Sequence, residues 1–65
     1  MSEILLNRLK NSIGLEGIVY LVNGFRFECK IISCDDEFLE FYDTKKSRVK
    51  VVKILEISEV DLNGH

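Results

Sequence analysis

The 65-residue sequence has no proline and no tryptophan, only two cysteines, and a single histidine at its last position. Cys29 and Cys34 therefore lack the companion ligands of a structural zinc site, and we expect no bound metal. Their odd separation places them on opposite faces if one strand carries both, so we expect two free thiols. No apolar run approaches the roughly 20 residues that span a bilayer, and no secretory leader is visible, so we expect a cytoplasmic protein without a membrane span.

The residue patterns that support catalysis are missing as well. The sequence shows no nucleophile accompanied by a histidine, no glycine-rich phosphate loop, and no evident pair of inward carboxylates. We therefore predict that the chain is not an enzyme and uses no cofactor.

What the sequence does have is the composition of one small ordered domain, which we place at residues 1–65. Apolar residues make up 46% of the chain. A chain this short buries only about 60% of its unfolded surface, so small folds commonly need an additional brace. Because neither a disulfide nor a metal is expected, the remaining brace is association with further copies of the chain.

The first segment, residues 2–12, is predicted to form one short amphipathic helix. Its apolar residues are Ile4, Leu5 and Leu9, and Ser2 is suited to cap its N-terminus. Isolated helices of this length are marginal in water, so the apolar face must dock on the strands that follow. The polar tail at residues 63–65 is assigned no function.

Five short strands are predicted between residues 17 and 62, folded as a strongly bent antiparallel barrel. The first, Ile18 to Val22, leads into Asn23 and Gly24, a pair typical of a two-residue type I′ hairpin turn. Alternating apolar and polar residues then indicate a second strand with one solvent-exposed face. The remaining strands are predicted at residues 38–42, 48–53 and 56–62.

The last two strands are expected to form the two edges of an open barrel, where unpaired apolar backbone invites association. The residues predicted at this interface are Val49, Val51, Val52, Ile57 and Val60. Pairing the fourth strand of one copy with the fifth of the next satisfies both edges, and repeated head-to-tail pairing closes a ring.

The charge distribution favours local contacts with anions. A net charge of −2 argues against a chain that attracts nucleic acid through its overall charge. Five basic residues nevertheless share one acid-free segment, namely Lys45, Lys46, Arg48, Lys50 and Lys53. This segment either holds an RNA backbone or serves as a solubilising charged loop.

Several ordered motifs resemble a known family. The pentapeptide Tyr20-Leu21-Val22-Asn23-Gly24 and the helical segment Leu6-Asn7-Arg8-Leu9-Lys10 are similar to Hfq. The pattern Gly24-x-x-Phe27-x-x-x-Ile31-x-Ser33-x-Asp35 resembles the first Sm motif, and Val52-Lys53-Ile54-x-x-Ile57-x-x-Val60 resembles the second. The chain is therefore similar to the Hfq and Sm-like RNA-binding proteins over roughly residues 5 to 60.

The resemblance implies a set of RNA-binding residues: Tyr20, Asn23, Gly24, Phe25, Arg26, Asp36, Phe38 and Lys53. It gives Tyr20 a base-stacking role on the distal face of a ring, Arg26 a phosphate or base contact, and Lys53 a place in the pore. Purely structural roles stay open as alternatives for several of these residues: Tyr20 as a core residue, Asn23 and Gly24 as turn formers, and Arg26 as a solvated side chain. Asp36 likewise either accepts hydrogen bonds from base edges or makes a turn.

The function that the resemblance implies is that of an RNA chaperone. We expect a homo-oligomeric ring that binds single-stranded RNA. The expected ring is a hexamer, with a pentamer or a heptamer as alternatives. A ring that serves as a structural or protein-interaction platform, with little RNA affinity, is the second hypothesis.

Overall fold

The computed structural model describes residues 3–62, in which one helix precedes five strands. The elements are α1 (Glu3–Lys10), β1 (Glu16–Leu21), β2 (Arg26–Cys34), β3 (Phe38–Asp43), β4 (Arg48–Lys53), a 3-10 turn (Ile54–Glu56) and β5 (Ile57–Leu62). The predicted order of one helix and five strands is confirmed. The proposed cap at Ser2 and the tail at residues 63–65 lie outside the described residues.

The five strands form one antiparallel sheet in the order β4-β3-β2-β1-β5. β4 and β5 are its two outermost strands, as the sequence predicted. Within residues 3–62 they do not pair with each other, so the sheet of a single chain is open and the barrel is not closed. Each edge strand therefore presents one row of backbone groups without a strand partner.

The core lies between the helix and one face of the sheet. The helix, the strands β1, β2, β3 and β5 and the 3-10 turn all contribute buried apolar residues, namely Leu9, Val19, Cys29, Ile31, Leu39, Phe41, Ile54 and Ile57. Docking of α1 is confirmed for Leu9, which is fully buried, and for Leu5, which packs against the core. Ile4 departs from the expectation because it is 81% exposed.

The hairpin between β1 and β2 differs from the predicted two-residue type I′ turn. Leu21 N–H donates to the Phe25 carbonyl at 2.8 Å, and Gly24 N–H donates to the Leu21 carbonyl at 3.0 Å. A type I′ turn needs positive φ at both central residues, whereas Gly24, at +95°, is the loop residue with positive φ. The connection is therefore a three-residue loop that ends in a left-handed glycine, and the type I′ prediction was wrong.

A bulge in β2 overturns the expected placement of the cysteines. The pairing of β2 with β3 shifts between Ile31 and Ser33, so Ile32 is an extra residue that resets the alternation. Cys29 is buried and Cys34 packs against the same core, so the two lie on one face. Both are free thiols, as predicted. Burial, helped by the Asp43 carboxylate, raises the pKa of Cys29 to about 11, which keeps this thiol protonated at neutral pH.

Candidate nucleic-acid interface

Tyr20 lies on the face of β1 that points away from the core. Its neighbour Val19 is fully buried, while Tyr20 is half-buried and takes no part in the core cluster. Side chains alternate along a strand, so Tyr20 and Ile18 share the outer face of the sheet. The core interpretation of Tyr20 is therefore not supported.

Two charged residues flank Tyr20 on this outer face. The register places Arg26 of β2 directly opposite Tyr20 on one side and Glu59 of β5 opposite it on the other. Directly opposite residues have their Cβ atoms about 4.5–5.5 Å apart, so the three side chains form a row across three strands. The resemblance implied binding roles for Tyr20 and Arg26 without this adjacency, and Glu59 was not among the predicted residues.

The hairpin loop adjoins this row. Asn23 Oδ1 accepts a hydrogen bond from Phe25 N–H at 3.1 Å, so the asparagine side chain helps to shape the loop. Together with the left-handed Gly24, this accounts for both residues as turn formers. Phe25 is exposed beside them and offers a second aromatic ring at the same end of β1 and β2.

A second group of predicted residues lies at the other side of the sheet. Phe38 of β3 is directly opposite Lys53 of β4, and both are exposed on the outer face. β1 and β4 are three strand spacings apart, or roughly 14 Å. A single chain therefore holds two separate clusters, Tyr20 with Arg26 and Phe38 with Lys53.

The two aspartates before Phe38 have different roles. Asp35 Oδ1 accepts hydrogen bonds from the N–H groups of Phe38 and Glu37, each at 2.8 Å, and these bonds lower the pKa of Asp35. Asp36 is exposed and forms a 2.8 Å ion pair with Lys10 Nζ, which links the turn to the helix. Asp35 thus makes the turn, and the predicted RNA-binding residue Asp36 is engaged by Lys10.

The basic segment is dispersed over the sheet. Lys45 Nζ lies 3.2 Å from a Glu28 carboxylate oxygen, and Lys50 Nζ lies 5.2 Å from the centroid of the Phe27 ring on the core side. Lys53 is on the opposite face of β4 from Lys50. The cations of β4 are therefore divided between the two faces of the strand.

The five predicted interface residues differ in exposure. Val49 and Val51 are 52% and 57% exposed on the outer face, with Tyr42 directly opposite Val49. Val52 and Val60 are partly buried against the core. The Ile57 side chain belongs to the core of the single chain, so this residue offers only its backbone to a neighbouring strand.

Comparison with known proteins does not assign the chain to a family. No protein-family model matches the sequence, and no curated protein or solved structure gives a significant match. Within residues 3–62 there is no group of three or more histidine, cysteine, aspartate or glutamate side chains placed to hold a metal. The described part of the chain also has no helix of the length and apolarity needed to cross a membrane. Membership of the Sm-like family stays a prediction from the sequence motifs.

Proposed function

We propose that this protein forms a homo-oligomeric Sm-type ring that binds single-stranded RNA, in the manner of an RNA chaperone. The observation that carries the proposal is the half-buried ring of Tyr20, which lies on the outer face directly opposite Arg26. Stacking of one base on an aromatic side chain contributes about 1–3 kcal/mol. The adjacent guanidinium supplies a cation for a phosphate or for a base edge.

Ring formation is supported by the state of the two edges. β4 ends the sheet on one side and β5 on the other, and two exposed valines line the outer face of β4. A sheet edge of this kind is a template for pairing with another chain. The number of copies proposed for the ring is six, with five or seven as alternatives.

Repetition in a ring compensates for weak individual sites. The net charge of −2 provides no general attraction for RNA, so each site contributes only stacking and a local cation. When several identical sites engage one strand, later contacts form at a high effective concentration and the overall affinity rises. Phe38 and Lys53 offer a second stacking and phosphate-binding pair in each copy.

Fluorescence anisotropy of labelled oligo(A) and oligo(U), at two salt concentrations, tests the RNA proposal. We expect Tyr20→Ala to weaken binding about tenfold, because the base loses its stacking surface. Tyr42→Ala is the matched control, since Tyr42 is exposed on the same face outside the Tyr20 row. Lys53→Ala, paired with Lys46→Ala, measures the contribution of the second cluster. Equal affinities for Tyr20→Ala and Tyr42→Ala, or no submillimolar binding of either oligomer, would contradict the proposal.

A ring that acts as a protein-interaction platform is the second candidate. It is favoured by Glu59 beside Tyr20 and by Asp61 opposite Ile18, because both carboxylates lie on the outer face and repel phosphate. For this function, sedimentation would show a stable oligomer while anisotropy stays flat for both RNAs.

A further inference from the structure

A bulge in β5 turns Glu59 toward the face of the sheet that carries Tyr20. The pairing of β1 with β5 shifts next to Tyr20, so Ser58 is an extra residue in β5. Ile57, which precedes the bulge, is buried, and strict alternation would bury the residue two positions later as well. The extra residue resets the alternation, so Glu59 is exposed on the outer face while Val60 packs against the core.

The bulge is fastened to the strand that carries Tyr20. Ser58 Oγ donates a hydrogen bond to the Tyr20 carbonyl oxygen at 3.3 Å. Glu59 is then directly opposite Tyr20 on one side, as Arg26 is on the other. Within residues 3–62 neither of these charged side chains forms an ion pair or a hydrogen bond. Tyr20 therefore lies between a guanidinium that can donate hydrogen bonds and a carboxylate that can accept them.

The two flanking groups suit different parts of a nucleotide. The Arg26 guanidinium has only hydrogen-bond donors, and its positive charge matches a phosphate. The ionised Glu59 carboxylate has only acceptors, and its negative charge repels a phosphate. When a base stacks on Tyr20, the carboxylate can therefore bind only to N–H donors on the edge of that base.

The supply of such donors separates the bases. Adenine, cytosine and guanine each carry an exocyclic amino group, and a glutamate side chain accepts a hydrogen bond from the amino group of cytosine. Uracil carries a carbonyl oxygen where cytosine carries its amino group. Its single N–H donor on this edge lies between two carbonyl oxygens, which repel a carboxylate. Cytosine and uracil have rings of the same size, so the carboxylate distinguishes two bases that stack in the same way.

We infer that Glu59 determines the base specificity of the Tyr20 site and selects bases with an exocyclic amino group over uracil. The inference rests on the RNA binding proposed above and adds which bases this site accepts. Selection depends on the amino group and not on the size of the ring, so cytosine is accepted together with adenine. A phosphate contact made by Arg26, on the other side of the ring, adds affinity without base preference.

Fluorescence anisotropy of labelled oligo(C) and oligo(U) of equal length tests this inference. The two oligomers share their backbone and ring size and differ at the edge of the base that Glu59 contacts. We expect oligo(C) to bind at least about tenfold more tightly than oligo(U), because each occupied site gains a hydrogen bond to a charged acceptor. Oligo(A) should also bind more tightly than oligo(U).

Two variants with the same change of charge separate base selection from general repulsion. Glu59→Gln keeps the length of the side chain and adds an amide that can donate to uracil, so the affinity ratio of oligo(C) to oligo(U) should fall to about one. Asp61→Asn removes a charge from the same strand and face, opposite Ile18 instead of Tyr20. It should strengthen binding of both oligomers and keep their ratio. Both side chains are exposed, so the circular dichroism spectrum should not change.

Three results would overturn the inference. In the first, the wild type binds oligo(U) as tightly as oligo(C), or more tightly. In the second, the wild type prefers oligo(C) and Glu59→Gln keeps this preference. In the third, Asp61→Asn abolishes the preference as Glu59→Gln does, which would make it an effect of net charge. In all three the RNA proposal stands if Tyr20→Ala weakens binding, whereas no binding of oligo(A), oligo(C) or oligo(U) would defeat the RNA proposal itself.

Discussion

The inner strands and the outer strand β4 use the two faces of the sheet in opposite ways. In β1, β2 and β3 the apolar residues Val19, Ile31 and Phe41 are buried and most of the polar residues point outward. In β4 the valines at 49 and 51 point outward, and Lys50 points toward the core side over Phe27. β4 contributes no residue to the buried core of the described chain. The inner strands therefore supply most of the buried core, together with α1, the 3-10 turn and β5, whereas the two outward valines of β4 stay exposed in the single chain.

Truncating one residue from each region should give the largest contrast. Phe41→Ala removes a fully buried ring and should lower the free energy of unfolding by about 3–5 kcal/mol at every protein concentration. Val51→Ala removes a half-exposed side chain and should cost less than about 1 kcal/mol in the dissociated chain. Its effect should grow with protein concentration, because the proposed ring would cover a valine that the single chain leaves exposed. Urea denaturation over a range of protein concentrations measures the loss in the free energy of unfolding for each variant.

Equal losses of stability for the two variants at low concentration would break this comparison, because β4 would then contribute to the core as the inner strands do. A loss for Val51→Ala that does not depend on concentration would also contradict it.

The pairing of β1 with β5 can be tested at Gly17, which lies directly opposite Leu62. A Cβ atom there would lie 2.8 Å from Leu62 Cα and closer still to the Asp61 carbonyl oxygen. These are backbone atoms that no change of rotamer can move, so Gly17→Ala must push β5 away from β1. We expect a loss of about 1–3 kcal/mol in urea denaturation. Glu16→Ala, an exposed change in the same strand, is the control and should be nearly neutral.

The smallest effect is expected at the turn that leads from β2 into β3. Because hydrogen bonds lower the pKa of Asp35, its carboxylate stabilises the fold above the pKa of the unfolded chain. This contribution is lost as the pH falls through the lower pKa of the folded state. Asp35→Asn should therefore lower the melting temperature at pH 7, and the difference from the wild type should shrink in acid. Asp36→Asn, which alters only an exposed ion pair, should show a smaller difference at pH 7, and the reverse order would contradict the assignment.

The alternation of apolar and polar residues was sufficient to predict the helix and the five strands. These features depend on local periodicity, which the sequence displays directly. The outward position of Tyr20 could not be predicted in the same way, because Ile18 and Val22, which share its parity in the sequence, are apolar and imitate a core pattern.

The errors arose where tertiary structure overrides the local pattern. The bulge at Ile32 brings Cys34 to the face that Cys29 occupies, although the spacing of the cysteines predicts opposite faces. Glu59 was missed because its place beside Tyr20 depends on β5 crossing to pair with β1, a contact between distant segments. The loop at Gly24 differs by its length, which the Asn-Gly pair alone does not determine.

The most direct test of the account is sedimentation velocity of the wild-type protein at micromolar concentration, with circular dichroism on the same sample. The account predicts a folded species whose mass is a fixed multiple of 7.5 kDa, since the edges of each sheet are paired with those of its neighbours. A well-folded monomer, stable over the whole concentration range, would contradict it.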